Sequence, residues 1–243
     1  MKLKGKTAVV TGGATGIGWA IAQALATEGC RVAIAGRTEV KLREAVESYS
    51  GSNSISYHRV NVAHRASVNR LFGWAMKQFG QVDILVNSAG LNIKTRSMAE
   101  MEPAQWDKVL AANATGAYNC MYAVLPQMRE RQDGLIINVS SIAGQRASAL
   151  GGVAYAASKF AMTALGTAVN NEDNAHGIRV TNVYPGEVNT PILENRPVPV
   201  TDERKAAMLQ PEDFAEVIVA ICNLPPRANV SDIVIKPTVQ EYV

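Results

Sequence analysis

Tyr155 and Lys159 are the two residues of this sequence best suited, by type and spacing, to proton chemistry. They lie in a stretch, residues 151–166, whose small and apolar side chains recur at helical spacing without an interrupting proline. Because positions i and i+4 of a helix lie on one face, the phenol and the ammonium would lie a few ångströms apart. A nearby cation favours the phenolate and lowers a tyrosine pKa from its usual value of about 10. The pair therefore predicts an acid/base group for an alcohol or carbonyl oxygen, although this spacing alone occurs more often on an ordinary amphipathic helix.

Three further polar residues are candidates for the same site. Ser140 and Ser141 follow an apolar, strand-like run at 135–139, and the fourteen or so positions before Tyr155 would let a loop bring a hydroxyl back to it. Asn113 lies within a predicted helix at 101–128, where its side chain competes for backbone groups and favours a break. Serines at a strand end are commonly loop hydrogen bonders, and such an asparagine is commonly a cap or a buried amide. These residue types alone do not identify a site.

A glycine-rich turn follows the first predicted strand, residues 6–11, and leads into a helix that ends at Gly29. In this strand–turn–helix context Gly12 would permit the tight turn, Gly16 a close backbone approach to a pyrophosphate, and Gly18 close packing of the helix on the strand. Backbone N–H groups and the positive end of the helix dipole would then face the phosphates. The turn predicts a dinucleotide site; the alternative is a turn that binds nothing.

Arg37 bears on which nucleotide is bound. In dinucleotide folds an acidic residue at the end of the second strand, here 31–35, holds the free ribose 2′-hydroxyl. Gly36 leaves that space empty, and the guanidinium of Arg37 suits a 2′-phosphate. NADP(H) is therefore favoured, and NAD(H) is the alternative cofactor. Arg37 could instead be a solvated loop residue that contacts no nucleotide. After the strand at 82–86, the small residues 87–90 would allow close approach of a ribose and nicotinamide.

Strand-like and helix-like segments alternate along the whole chain. Further strands are predicted at 55–60, 178–184 and 231–236, and further helices at 40–49, 66–79 and 211–224. This order predicts an α/β fold, a single domain over 1–243 with a Rossmann-type doubly wound parallel sheet of about seven strands and helices on both faces. Residues 188–210 are polar and contain three prolines, so we expect a mobile flap over the substrate cleft.

Composition excludes several classes of protein. Apolar residues make up 47% of the chain, but no run approaches the ~20 that a membrane span needs. The net charge of +3 comes from 24 basic and 21 acidic residues that are interspersed, which argues against a nucleic-acid surface. Three distant cysteines fit reduced thiols, and three histidines lack metal-ligand spacing. We expect a cytoplasmic protein without a signal peptide, membrane partner, nucleic-acid partner or catalytic metal.

Six motifs in order along residues 4–236 resemble the short-chain dehydrogenase/reductase family. They are TGGATGIG at 11–18, NSAG at 87–90, Asn113, INVSS at 137–141, YAASK at 155–159 and PGEVNTP at 185–191. The resemblance implies that Tyr155 is the acid/base, that Lys159 lowers its pKa and binds the nicotinamide ribose, and that Ser141 binds the substrate oxygen. Asn113 would anchor a water that links Lys159 to solvent.

The resemblance also implies which residues bind the cofactor, and the candidates are Thr11, Gly12, Thr15, Gly16, Ile17, Gly18, Arg37, Asn61, Val62, Asn87, Ala89, Gly90, Tyr155, Lys159, Pro185, Gly186, Val188 and Thr190. Some positions depart from the family pattern. Ala14 and Thr15 occupy a place where many NADP-using members have a basic residue, so Arg37 alone carries that inference. Asn61 stands where many have an aspartate, and the Ser141–Tyr155 separation is one longer than expected, which keeps Ser140 as a lesser candidate.

The implied function is an NAD(P)-dependent oxidoreductase, a carbonyl reductase or alcohol dehydrogenase that interconverts a secondary alcohol and a ketone or aldehyde. The C-terminal stretch is similar to that of the branch acting on 3-hydroxy acids and small carbonyls. Family members form homodimers or homotetramers through two long helices, here about 103–129 and 152–174. One alternative is a non-catalytic NADP(H)-binding redox sensor of the same fold; another is an enzyme that uses bound cofactor for epimerisation or dehydration.

Overall fold

Seven parallel strands form one sheet in the computed structural model, which describes residues 3–51 and 53–240. The strands are β1 (Thr7–Thr11), β2 (Arg31–Gly36), β3 (Ile55–Arg59), β4 (Ile84–Asn87), β5 (Gly134–Val139), β6 (Ile178–Pro185) and β7 (Asp232–Ile235). Their order is β3-β2-β1-β4-β5-β6-β7, so successive strands are added to one side of β1 first and then, from β4 onward, to the other side. Ligands of open parallel sheets bind in the crevice outside the strands' carboxyl ends at such a reversal. The predicted doubly wound sheet is confirmed.

Helices cover both faces of the sheet because its central strands are apolar on both sides. Every residue of β1, β4 and β5 is buried, and successive residues point to opposite cores, with Val10 on one side and Val9 on the other. The first core packs against α1 (Gly16–Thr27), α2 (Glu39–Ser48) and α8 (Pro211–Cys222), and the second against α3 (Arg65–Phe79), α5 (Gly116–Arg131) and α6 (Val153–Asp173). The predicted boundaries of these elements mostly agree with the structure to within one or two residues, including the long helix expected at about 152–174.

The helix predicted at 101–128 is broken at Asn113, as its residue type suggested. The structure has α4 (Pro103–Leu110), a π-helical turn (Ala111–Thr115) and then α5. At Gly116, where α5 begins, a Cβ would lie 2.6 Å from the Val62 side chain. The wider turn and the glycine together let the chain pass close to β3's end while Asn113 points inward.

A row of buried amides crosses three strands just before their carboxyl ends. Asn87, Asn138 and Asn182 lie in register on β4, β5 and β6. Asn87 Nδ2 donates to Asn138 Oδ1 at 3.0 Å, and Asn138 Nδ2 donates to Asn182 Oδ1 at 3.2 Å. Gly166 of α6 packs directly on this amide row, since a Cβ there would overlap Asn182 Oδ1 and lie 2.6 Å from Asn138 Nδ2. The row fixes both the strand register and the approach of α6 to the sheet.

The flap, residues 188–210, is more regular than a polar loop. It contains a 3₁₀ turn (Pro191–Asn195) and α7 (Asp202–Ala206). Glu187 accepts from Arg196 Nη2 at 2.8 Å and from Arg204 Nη2 at 3.0 Å, so one carboxylate holds both halves of the flap. The mobility of the flap stays a prediction.

Within residues 3–51 and 53–240, no helix has both the length and the apolar character to cross a membrane. The same residues contain no group of three or more His, Cys, Asp or Glu side chains placed to hold a metal ion.

Candidate active site

Tyr155 and Lys159 lie on one face of the first turns of α6, toward the end of β5. Lys159 Nζ is 5.7 Å from the centroid of the Tyr155 ring, which confirms the predicted juxtaposition. Lys159 is buried, and its Nζ donates to the Val139 carbonyl at 2.8 Å. The lysine is thus fixed to the last residue of β5, and it holds its ammonium beneath the phenol.

Burial dominates the protonation of both groups. It lowers the pKa of the Lys159 ammonium to about 7. It also raises the pKa of the Tyr155 phenol, an effect opposed by a hydrogen bond with Ser141 and by the charge of Arg96. Desolvation favours the neutral form of each group, and the role of Lys159 in lowering the Tyr155 pKa stays a prediction. At neutral pH, Tyr155 is a protonated phenol that can donate.

Ser140 and Ser141 point to different places, which their adjacency in sequence could not reveal. Ser141 caps the short 3₁₀ turn Ile142–Gly144, where its Oγ accepts from the Ala143 N–H at 3.1 Å, and its side chain reaches the Tyr155 phenol. Ser140 is buried, and its Oγ donates to the Lys159 carbonyl at 3.2 Å. Of the two serines, Ser141 is thus the one beside the phenol.

Asn113 joins the loop after β4 to the catalytic helix. Its Oδ1 accepts from Leu91 N–H at 2.8 Å, and its Nδ2 donates to the Leu91 carbonyl and to Ser158 Oγ, both at 2.9 Å. Ser158 Oγ in turn donates to the Tyr155 carbonyl at 2.8 Å. Both amide hydrogens of Asn113 are therefore used by protein groups, and its water-anchoring role stays a prediction.

The glycine turn after β1 has the shape of a nucleotide cradle. Gly12 and Gly16 have positive φ angles of 66° and 55°, a region that favours glycine. A Cβ on Gly12 would lie 2.7 Å from Ala89 N, and one on Gly18 would lie 2.5 Å from the Gly12 carbonyl. The turn therefore packs against the segment after β4 and presents bare backbone at the N-terminus of α1, which fits a pyrophosphate.

Thr11, Asn87 and Gly90 link the same two segments. Thr11 Oγ1 donates to the Val86 carbonyl and accepts from Ala89 N–H, each at 3.3 Å. Asn87 Oδ1 is buried with no hydrogen-bond partner within the described residues. A Cβ on Gly90 would lie 3.7 Å from Lys159 Nζ. An orphaned amide oxygen and open glycine positions at this edge are consistent with room for a cofactor ribose.

The remaining cofactor candidates fall at three places. Thr15 and Ile17 lie at the start of α1, and Thr15 precedes it with no side-chain capping bond. Asn61 and Val62 follow β3, where Asn61 Oδ1 accepts from Ala63 N–H at 3.2 Å and Val62 packs in the core. The last set lies at the end of β6 and the start of the flap: Pro185, Gly186, Val188 and Thr190. Thr190 Cγ2 lies 3.1 Å from the position of a Cβ on Gly16, so the flap begins directly over the glycine turn.

Arg59 is a site residue that the sequence analysis missed. It ends β3 in register with Gly36, and its Nε donates to the Arg37 carbonyl at 3.3 Å. Both arginines are exposed at the end of β2 and β3. The only signal in the sequence is that Arg59 lies near the end of a predicted strand, and its meaning depends on a strand register that the sequence does not give.

A cavity of about 510 Å³ lies beside this edge, lined largely by the flap. Thr190, Arg196 and Lys94 contribute to its wall. Arg196, which in sequence could be a carboxylate binder or a solvated loop residue, is ion-paired with Glu187 and is only 14% exposed in its side chain. The flap therefore lines an open space next to the segment that follows β6, and Ser141, Tyr155 and Lys159 are not among the residues that line it.

Comparison with known proteins agrees with this geometry. A model of the short chain dehydrogenase family matches residues 6–199. An uncharacterized oxidoreductase of Staphylococcus saprophyticus is 34% identical over 239 residues, 98% of this chain and 99% of the relative. A metagenomic short-chain oxidoreductase in complex with NADP has a TM-score of 0.85 at 30% identity, with 99% of this chain and 100% of that chain covered. An alcohol dehydrogenase of the archaeon Thermococcus sibiricus, complexed with 5-hydroxy-NADP, has a TM-score of 0.87 at 26% identity, with 97% and 98% covered.

Proposed function

Because the chain belongs to the short-chain dehydrogenase family, we propose that it is an NADP(H)-preferring oxidoreductase that interconverts a secondary alcohol and a ketone or aldehyde. The observation that carries the proposal is the convergence of Ser141, Tyr155 and Lys159 at the edge of the sheet that the glycine turn also borders. Proton transfer to a carbonyl oxygen requires an acid, and here a hydroxyl orients that acid and a cation lies beneath it.

The bound nicotinamide supplies the hydride, and the chain's residues place the carbonyl and handle the proton. In reduction, Ser141 and Tyr155 hydrogen-bond the carbonyl oxygen. Tyr155 Oη then gives its proton to that oxygen as the carbon receives the hydride. Its raised pKa suits it to be protonated beforehand. Protonated Lys159 below the ring stabilises the phenolate that forms, and its pKa of about 7 lets it pass a proton onward near neutral pH.

The preference for NADP(H) over NAD(H) rests on the two arginines at the ends of β2 and β3. Arg37 and Arg59 are exposed beside Gly36, where their guanidinium groups suit a 2′-phosphate. NADP in the metagenomic relative and 5-hydroxy-NADP in the archaeal one are consistent with this choice. For substrate, we propose the class of 3-hydroxy acids and small carbonyls, and for assembly a homodimer or homotetramer through α4–α5 and α6. Exposed Tyr118 and Tyr122 on α5 and Phe160 on α6 offer apolar surface for that contact.

The test is cofactor turnover by wild type and Tyr155→Phe over a panel of small ketones, aldehydes and 3-hydroxy acids. We expect the variant to lose about 10²–10⁴-fold in kcat while binding NADPH as tightly as wild type, because only the transferable proton is removed. Tyr122→Phe, an exposed tyrosine on α5, is the matched control. NADPH binding without turnover of any substrate would favour the redox-sensor alternative instead.

A further inference from the structure

Arg96 joins three separate segments around the candidate active site. It lies in the loop between β4 and α4. Its Nη1 donates to the carbonyls of Leu150 and Gly151, at 3.0 and 2.9 Å, and these residues immediately precede α6. Its Nη2 donates to the Asn195 carbonyl, in the flap, at 2.9 Å. One guanidinium therefore holds the flap to the entrance of the helix that carries Tyr155.

The backbone of Arg96 is fixed to the same helix. Its carbonyl accepts from the N–H of Val153, the first residue of α6, at 3.1 Å. Gly152 has φ 80°, and a Cβ there would lie 2.9 Å from Arg96 Cδ. Asn92 supports the contact, since its Nδ2 donates to the Gly151 carbonyl at 3.1 Å. The flap bond is thus made by a side chain whose own position is set by the catalytic helix.

The placement of the Arg96 guanidinium carries a cost in stability, which indicates that it serves another purpose. Its Nε–H is buried and has no hydrogen-bond partner in the part of the chain that the structure describes, which costs free energy. The groups that face Tyr155 are Lys159 on α6, Ser141 after β5 and Arg96 in its loop. Arg96 in turn faces Tyr155 and, from the flap, Arg196, whose charge is met by Glu187. Among these groups, Arg96 is the cation that is hydrogen-bonded both to the flap and to the residues before α6, and its charge acts on the phenol.

We propose that Arg96 is a positioning residue of the reaction: it latches the flap over the substrate and, in the latched state, holds a positive charge beside the Tyr155 phenol. The first half stands on the hydrogen bonds alone. The second half rests on the proposed function, since it concerns the proton that Tyr155 transfers. A guanidinium is needed because a single ammonium cannot reach carbonyls on both sides of the cleft at once.

The latch is tested without turnover by cleavage with a protease specific for glutamate. Glu194 directly precedes Asn195, whose carbonyl Arg96 holds. We expect about tenfold faster cleavage after Glu194 in both Arg96→Met and Arg96→Lys than in wild type. The control is Lys108→Met, which removes one exposed charge from neighbouring α4. Cleavage at the wild-type rate in both Arg96 variants would overturn the latch.

The charge is tested by the pH dependence of alcohol oxidation, which requires the phenolate. Removing the cation in Arg96→Met should move the midpoint of the kcat profile upward by about half a unit or more. Arg96→Lys keeps a cation but loses hydrogen bonds that fix it, so its midpoint should lie between those of wild type and Arg96→Met while its KM rises about tenfold. A merely structural role would change KM and leave the midpoint unmoved in both variants, which would contradict the second half of the proposal.

The use of two Arg96 variants separates the loss of the latch from a failure of one variant to fold. If Arg96→Met does not fold, as judged by its thermal midpoint, Arg96→Lys still decides the latch by cleavage after Glu194. If wild type turns over no substrate, the proposed function fails while the protease result still tests the latch. If Tyr155→Phe abolishes turnover but both Arg96 variants behave as wild type in every assay, the function stands and the Arg96 proposal fails.

Discussion

Arg37 and Arg59 show how a residue can gain a role from the strand beside it. Their shared position at the ends of β2 and β3 predicts that both contact the 2′-phosphate. We expect Arg37→Ala and Arg59→Ala each to weaken NADPH binding about tenfold or more, with NADH binding almost unchanged, because each removes a charge-assisted hydrogen bond. Titration of both nucleotides by fluorescence measures this. Arg70→Ala, an exposed arginine on α3, controls for net charge, and an equal loss in that variant would refute the assignment.

Lys159 predicts a stability effect with a defined sign. Its folded-state pKa of about 7 lies below the 10.5 of a free lysine, so between these values the unfolded chain binds more protons and stability rises with pH. Below pH 7 the native state bears the full cost of a buried ammonium. We therefore expect Lys159→Met to have a thermal midpoint above that of wild type at pH 6.5, and the difference to shrink steadily toward pH 10. A difference independent of pH would mean that the lysine is not buried as an amine.

At this scale the sequence predicted the Tyr155–Lys159 juxtaposition, since helical spacing alone determines it. It could not predict the direction of the tyrosine's pKa, because that depends on burial by neighbours distant in sequence. The sequence favoured Ser141 over Ser140 only through the family resemblance, and the structure places Ser141 beside the phenol. The side chains of adjacent residues point in different directions, and only the path of the loop determines which hydroxyl reaches the phenol.

The contact between α6 and the amide row makes a prediction about elements. Gly166→Ala would put a methyl group against Asn182 and Asn138, so we expect a loss of about 1–3 kcal/mol in the free energy of unfolding. Gly73→Ala on α3 is the matched control, since it meets no atom within 4 Å and should gain up to about 1 kcal/mol through helix propensity. Urea unfolding of the two variants compares them directly. Equal changes in the free energy of unfolding for both variants would show that the amide row can shift to accept the methyl group without a loss of stability.

Elements were the most predictable level of this protein, because apolar periodicity and glycine punctuation are local. The break at Asn113 was foreseen from helix propensity, whereas its extent depended on bonds to Leu91 and Ser158. The amide row was not foreseen. Asn87, Asn138 and Asn182 are some fifty residues apart, and they become neighbours only when parallel strands pair in one particular register.

At the scale of the whole molecule, the order of strands and helices was enough to predict the doubly wound sheet, because right-handed crossovers leave few other arrangements. The flap was recognised as a segment by its prolines, but its attachments were not. Glu187 holds it through Arg196 and Arg204, and Arg96 holds it from the opposite side of the cleft. The ion pairs lie within or beside the flap, whereas the hydrogen bond from Arg96 joins segments far apart in the chain and leaves no local pattern in the sequence.

The flap begins at Thr190 directly over Gly16, in the middle of the glycine turn. A nucleotide seated in that turn would thus lie partly beneath the flap's first residues, while the small substrate would lie farther out, beneath the rest. If the proposed function holds, we expect the nucleotide to bind before the alcohol or carbonyl and to leave after it, because the first residues of the flap would lie over it. The order of product release then becomes a property of where the flap starts.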